Sequence, residues 1–178
     1  MYPLAISIVG AALVAFWLAY AQPRDMEMLN QAQADTMAAN FWTYRDSLVA
    51  FQNANFASTQ GFIPDAALSV PLPNRPTGYF PLGYAVMQSG TPAVNLWKNY
   101  FEGGRLYTYS TIAAANLPTG VIDAIANRNG RSLMVGVKQA NGTVVSMFRL
   151  NTPPNTGGIF TLPPTSGIPD GALVVVGN

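Results

Sequence analysis

The stretch that decides the fold runs from Leu4 to Phe51. It reads LAISIVGAALVAFWLAYA over Leu4 to Ala21 and QPRDMEMLNQAQADTMAANFWTYRDSLVAF over Gln22 to Phe51. No charged side chain occurs between Met1 and Pro23. As a helix, Leu4 to Ala21 spans roughly 27 Å, about the thickness of a bilayer core. Leu4, Ile6, Ile8, Val9, Leu13, Val14, Phe16 and Leu18 each favour insertion by about 0.3 to 0.6 kcal/mol. Trp17 and Tyr20 stand near one end and Tyr2 at the other, where amphipathic rings prefer the headgroup level. Residues 1–21 therefore read as a transmembrane anchor. A cleaved secretory signal competes with it, because Ala19-Tyr20-Ala21 is an A-x-A site behind an apolar run. Against cleavage, Met1-Tyr2-Pro3 lacks the Lys or Arg of an n-region, and the run exceeds the usual length of about 7 to 15 residues. The retained anchor is the expectation, and on either reading the rest of the chain leaves the cytoplasm. Orientation has little to rest on, since Arg24 is the lone cation flanking the span and Asp25 and Glu27 follow it.

Beyond the anchor, Met37, Phe41, Tyr44, Leu48 and Phe51 step by four, three, four and three. That is a helical seam, with Asp35, Arg45, Asp46 and Gln52 mostly off it. Residues 22–55 are expected to form one amphipathic helix, ended by Asn53-Ala54-Asn55 and Gly61. The seam has two readings, packing against the protein's own sheet or against a partner helix. Residues 56–178 then form one α+β domain, the natural count for a chain of 178 residues.

Within that domain, Phe62 to Pro92 is broken by six prolines, which forbid a continuous ladder. Its many apolar residues argue for an ordered loop and against disorder. Ala93 to Phe101 is expected to hold a short helical turn around Leu96 and Trp97. Gly103-Gly104 is a turn, and Arg105 to Ile112 alternates as a strand. Leu117-Pro118-Thr119 opens a short helix, Val121 to Asn127, which Asn129-Gly130 closes. Leu133 to Gln139 and Thr143 to Leu150 flank Asn141-Gly142 as a hairpin. Asn151 to Gly167 is a connection, and Ala172 to Val176 is a last apolar strand. The sum is a transmembrane helix continuing into an amphipathic helix, then a small, mostly antiparallel sheet with one or two short helices. Ile63-Pro64-Asp65-Ala66-Ala67-Leu68 is echoed by Ile168-Pro169-Asp170-Gly171-Ala172-Leu173, which reads as two similar turns.

Composition removes several chemistries. The net charge is +1 and only 10% of residues are charged, so there is no electrostatic footprint for nucleic acid. Cysteine and histidine are both absent. Disulfides, thiolate nucleophiles, imidazole acid–base catalysis and most zinc sites go with them. No phosphate loop, nucleophile elbow or dinucleotide fingerprint occurs. Asp65, Glu102, Asp123 and Asp170 have no spacing that pairs them, and turn or capping roles explain each. No catalytic residue, cofactor or metal is expected. Tyr79, Phe80, Tyr84, Trp97, Tyr100 and Phe101 crowd a loop-rich region. Most should be core, yet some are candidates for exposed partner-binding anchors.

The chain resembles a known family at this point. The resemblance is carried by the N-terminal anchor, by Ala-x-Asn-Phe-x-x-Tyr-Arg-Asp at Ala38 to Asp46, and by Ile63-Pro64-Asp65. Trp97-x-Asn99 before Gly104-Arg105-Leu106-Tyr107, and the closing Ile168-Pro169-Asp170-Gly171-Ala172-Leu173-Val174, complete it. Together these resemble the PilM family of plasmid-encoded conjugative thin pili, which are type IVb pili; a cytoplasmic, actin-like protein of the same name is distinct. The resemblance implies a non-enzymatic, single-pass component of the bacterial inner membrane with its bulk in the periplasm. It implies a scaffold or basal-body subunit that binds other pilus assembly proteins, with homo-oligomerisation open and no functional residue to carry over. The alternative is a minor pilin or pseudopilin. Those carry a basic leader cut after Gly and a Glu five residues into the mature helix, whereas Gly10 follows no basic residue and position 15 is Ala. A soluble periplasmic enzyme released after Ala21 is a third class, disfavoured by the empty search for chemistry.

Overall fold

The computed structural model describes residues 2–55, 60–128, 134–146 and 159–177, with the side chains of 2–11, 18, 20–23 and 159 outside that description. One helix, α1 (Tyr2–Asn55), runs unbroken for 54 residues, roughly 80 Å. From Phe16 and Trp17 to Gln33 its described side chains are exposed. From Ala34 onward the helix enters the core through Ala34, Met37, Ala38, Phe41, Tyr44 and Leu48, all buried at three- and four-residue steps. Phe51 is half-buried and sets its ring edge-on to Tyr79 at 5.2 Å. Polar residues in this half are reconciled with the helix by back-bonding. The Thr43 hydroxyl donates to Ala39 O (2.9 Å), and the buried Ser47 hydroxyl donates to Thr43 O (2.8 Å).

Among the described residues two further α-helices are short: α2 (Asp65–Leu68) and α3 (Val121–Arg128). α3 buries Val121, Ile125 and Ala126 and lies against α1, where the Trp42 indole donates to Ile125 O at 3.2 Å. A small ribbon pairs β1 (Gln88–Ser89) with β2 (Val94–Asn95). The main sheet comprises β3 (Trp97–Glu102), β4 (Arg105–Ala113), β5 (Val135–Lys138), β6 (Thr143–Ser146), β7 (Ile159–Thr161) and β8 (Ala172–Gly177). Every pairing in it is antiparallel, in the order β3-β4-β8-β5-β6-β7. The fold is α+β.

The hairpin turns follow from glycine. Gly103 and Gly104 both have positive φ, which a two-residue hairpin loop of the primed type requires, and they bring Glu102 opposite Arg105. Asn141-Gly142 does end a hairpin, with Gly142 left-handed and Gln139 N bonded to Thr143 O (2.7 Å). Its loop is Ala140-Asn141-Gly142, the three-residue kind with a glycine bulge.

The sheet buries both faces. Toward α1 it presents Trp97, Leu106, Val135, Leu173 and Val175; on the other side Tyr107, Tyr109, Val144, Val174 and Val176 form a second cluster under Leu162 and Ile168. This double burial accounts for the continuous apolar run Ala172-Leu173-Val174-Val175-Val176 in β8.

Several expectations need correction. Leu96 and Trp97 form no helical turn; β2 and β3 occupy that stretch. The β3 side chains alternate buried and half-buried, with Trp97, Asn99 and Phe101 inward. The buried polar Asn99 hides that alternation from a reading of apolar residues alone. The connection Asn151 to Gly167 contains β7, while its residues 151–158, and the hairpin ends 133 and 147–150, lie outside the described residues. So does the helix-closing pair Asn129-Gly130. Among the described residues no helix is long and apolar enough to cross a membrane. Much of Leu4 to Ala21 falls on side chains outside that description.

Candidate functional site

The best-defined constellation is the polar seam that joins α1 to the sheet. Asn99, fully buried on β3, donates through Nδ2 to Ile63 O (2.8 Å) and to the Tyr44 hydroxyl (2.8 Å), while its Oδ1 accepts from Ile63 N (2.9 Å). The side chain thus continues the pairing of β3 with the incoming segment, which Gly61 begins by exchanging two backbone bonds with Phe101. Tyr44 in turn donates to Asp65 Oδ1 (2.9 Å), and the Asn95 amide donates to Asp65 Oδ2. Burial first, and then the charge of Asp65, hold the Tyr44 hydroxyl well above the ordinary phenol range. Tyr84 is raised by the same two causes in the same order.

Asn40 is the second junction. Its Oδ1 accepts from Trp97 Nε1 (3.1 Å) and Met87 N (3.3 Å), its Nδ2 donates to Ala85 O (2.9 Å), and its backbone carbonyl accepts from the Tyr84 hydroxyl (3.1 Å). One helix residue thereby ties down the proline-rich segment and β3 together. The candidate site does not include Asn40, Asn99 or Asp65; two signals point to them, their place in the short motifs that carry the family resemblance, and for Asn40 its position three residues after Met37 and four before Tyr44 on the helical seam.

Five of the six candidate aromatics, Tyr79, Phe80, Tyr84, Trp97 and Phe101, come together, but inward. Phe80, Trp97 and Phe101 are buried, and Tyr79, Tyr84 and Tyr100 are half-buried. Trp97 meets Phe41 edge-on at 5.1 Å, and Phe80 stacks on Tyr84 at 4.9 Å. Tyr100 lies on the other face, its hydroxyl donating to Glu102 Oε2 at 2.8 Å. The expectation that some of them would stand exposed is corrected: each ring gains more by packing under α1 or on the second cluster than a loop could offer in water. Among the described residues of the domain, the exposed large apolar ones are instead Phe62, Val70, Leu82 and Val94.

Beside the helix lies a groove of about 680 Å³ between Leu29, Thr36 and Met37 of α1 and Met87, Ser89, Leu96 and Ile112. The Ser89 hydroxyl oxygen is buried there without a hydrogen-bond partner. The acids are dispersed. Asp170 pairs with Lys138 at 2.8 Å, Asp65 serves the seam, Glu102 accepts from Tyr100, and Asp123 opens α3 in its first turn. Both Pro-Asp turns follow a buried isoleucine, Ile63 under α1 and Ile168 on the far face. Among the described residues no group of three acids converges on a metal-sized site.

Fold and site together define an α+β protein whose N-terminal helix is half embedded in its own sheet domain and half uncovered. A model of the PilM family matches residues 9–176, and the chain belongs to that family. A solved structure of a PilM protein from Escherichia coli B7A is similar to it at 16% identity and a TM-score of 0.45, over 82% of this chain and 92% of that one. No curated protein matches the chain.

Proposed function

We propose that the protein is a non-enzymatic, inner-membrane-anchored subunit of the assembly apparatus of a type IV pilus of the thin, conjugative kind, working as a scaffold or basal-body component. Membership of the PilM family carries this reading. The uncharged run Leu4 to Ala21, at the start of a helix that leaves its own domain only at its N-terminal half, supports the anchor. Trp17, exposed on that helix with Leu13, Val14 and Phe16, fits the interfacial end of a single span, with the sheet domain in the periplasm.

The test is membrane retention joined to partner capture. Carbonate washing leaves the protein in the pellet with residues 1–21 attached, and it co-purifies from detergent with other inner-membrane pilus proteins. A soluble chain beginning at Gln22 sinks the anchor; a membrane protein that captures no pilus component sinks the scaffold role. A minor-pilin role is the second reading, favoured by one long helix laid on an antiparallel sheet. Recovery of the protein in sheared, purified pili would select it.

A further inference from the structure

We propose that the uncovered half of α1 is a dimer seam, covered by a second copy of this chain lying parallel along Met26, Leu29, Gln33 and Thr36. These four step by three, four and three, so they share one face of the helix. All four are exposed, Met26 and Leu29 at 65% and 69%. Their face leads into the uncharged groove, whose α1 wall is Leu29, Gln33, Thr36 and Met37 and whose far wall includes Met87 and Leu96. A helix lying on the face therefore runs into the mouth of the groove. Toward the N-terminus, Ala12, Ala15 and Ala19 repeat the spacing of Met26, Leu29 and Gln33 fourteen residues earlier, and are exposed as well. Small residues at such positions let two helices approach closely in lipid.

This seam rests on the anchor reading, under which lipid cannot be what covers the face. Leu29 stands eight residues beyond Ala21, roughly 12 Å along the helix, whereas the headgroup layer is about 5 to 8 Å deep. Lipid thus leaves Leu29 and the groove in water, and the chain's own domain leaves Leu29 open. A second copy fits for three reasons. Anchored from the same side, it lies parallel and at equal height, which sets Met26 against Met26 and Leu29 against Leu29. Gln33 then faces its own equivalent, and an amide, donor and acceptor at once, satisfies an identical amide across a two-fold axis. Charge also permits the pairing: Arg24, Glu27 and Asp35 lie off the seam, and Asp25 on its flank comes opposite Asn30 of the second copy, an amide donor and not a like charge. Two heptads are too short to hold two chains together in dilute solution, so the seam forms where the membrane aligns and concentrates the copies.

The chain contains no cysteine, so single cysteines report cleanly on contact. Met26→Cys, Leu29→Cys, Met28→Cys and Gln31→Cys, each at an exposed position, are made one at a time in the full chain and oxidised in native membranes with copper phenanthroline. A disulfide needs Cα atoms within about 7 Å, which the seam meets at Met26 and Leu29 and the outer side of the helix does not meet at Met28 or Gln31. The expected product is a disulfide-linked species of twice the chain's mass that joins differently tagged copies. Its yield at Met26→Cys and Leu29→Cys should exceed that at Met28→Cys and Gln31→Cys by roughly fivefold or more. Equal yields at all four positions overturn the seam, as does no dimer at Met26→Cys and Leu29→Cys in protein that carbonate leaves in the pellet; either result leaves the anchor standing. An adduct of another mass at those two positions gives the face to a different partner and overturns the second copy. Release of the chain by carbonate sinks the anchor and the seam together.

Discussion

The side chains that organise this molecule are polar ones in apolar places. Asn99 sits at 0% exposure among Tyr44, Ile63 and Trp97, and makes three bonds that no apolar residue could replace. Its amide is needed because one atom must accept from Ile63 N while the other donates to Ile63 O. Asn99→Asp keeps the acceptor, loses both donors and buries a charge beside Asp65. The expected loss is about 3 kcal/mol or more, read from chemical denaturation, since an unsatisfied buried group costs about 1 to 3 kcal/mol and an unpaired charge more. A midpoint equal to the wild type would mean that Gly61 to Ile63 is held without this clamp.

At the scale of elements, α1 is one helix in geometry that meets two environments. Its N-terminal half offers Met26 and Leu29 to the surroundings at 65% and 69% exposure, whereas Phe41, Tyr44 and Leu48 are at 0%. Phe41 sits edge-on between Trp42 and Trp97, with ring centres 5.4 and 5.1 Å away. Phe41→Ala empties that space and is expected to cost about 3 to 5 kcal/mol, seen as a fall in melting temperature of the purified protein. Leu29→Ala is the control and should leave the melting temperature within the range of surface substitutions, about 0.5 kcal/mol. An unchanged value for Phe41→Ala would reassign the seam to a partner helix. On the outer edge of β3 the Gly61 bridge takes up the backbone groups of Phe101, and the Asn99 side chain holds Ile63 beside the strand.

Across the whole molecule, alkaline pH reports on how tightly α1 is seated. Tyr44 and Tyr84 have hydroxyls raised above the ordinary value near 10, by burial first and by Asp65 next; Tyr109 is raised by burial alone. In the unfolded chain these phenols ionise at about pH 10. Below that pH both states are protonated and the stability they confer is fully present. Above it the unfolded state loses protons that the folded state retains, so stability falls, by up to about 1.4 kcal/mol per pH unit for Tyr44 and less for the better-solvated Tyr84. Melting temperatures should therefore hold to about pH 9 and drop beyond pH 10, with tyrosinate absorbance of these residues appearing only on unfolding. Titration of all eight tyrosines near pH 10 in the folded protein would refute the seating. What the amino-acid order determines by itself is whatever repeats along the chain. The three-and-four spacing of Met37 to Leu48, the alternation of Arg105 to Ile112, the glycine turns and the apolar run of β8 are local signals, because periodicity is a property of neighbouring residues. The tertiary structure alone decided that β8 enters between β4 and β5, that Trp97 belongs to a strand, and which of the six aromatics, namely Phe80, Trp97 and Phe101, are fully covered. It also decided that Arg45 and Asn99 are buried. The reason is that an aromatic ring or an amide looks the same in the sequence whether water or another segment covers it, and the covering segments here lie tens of residues away.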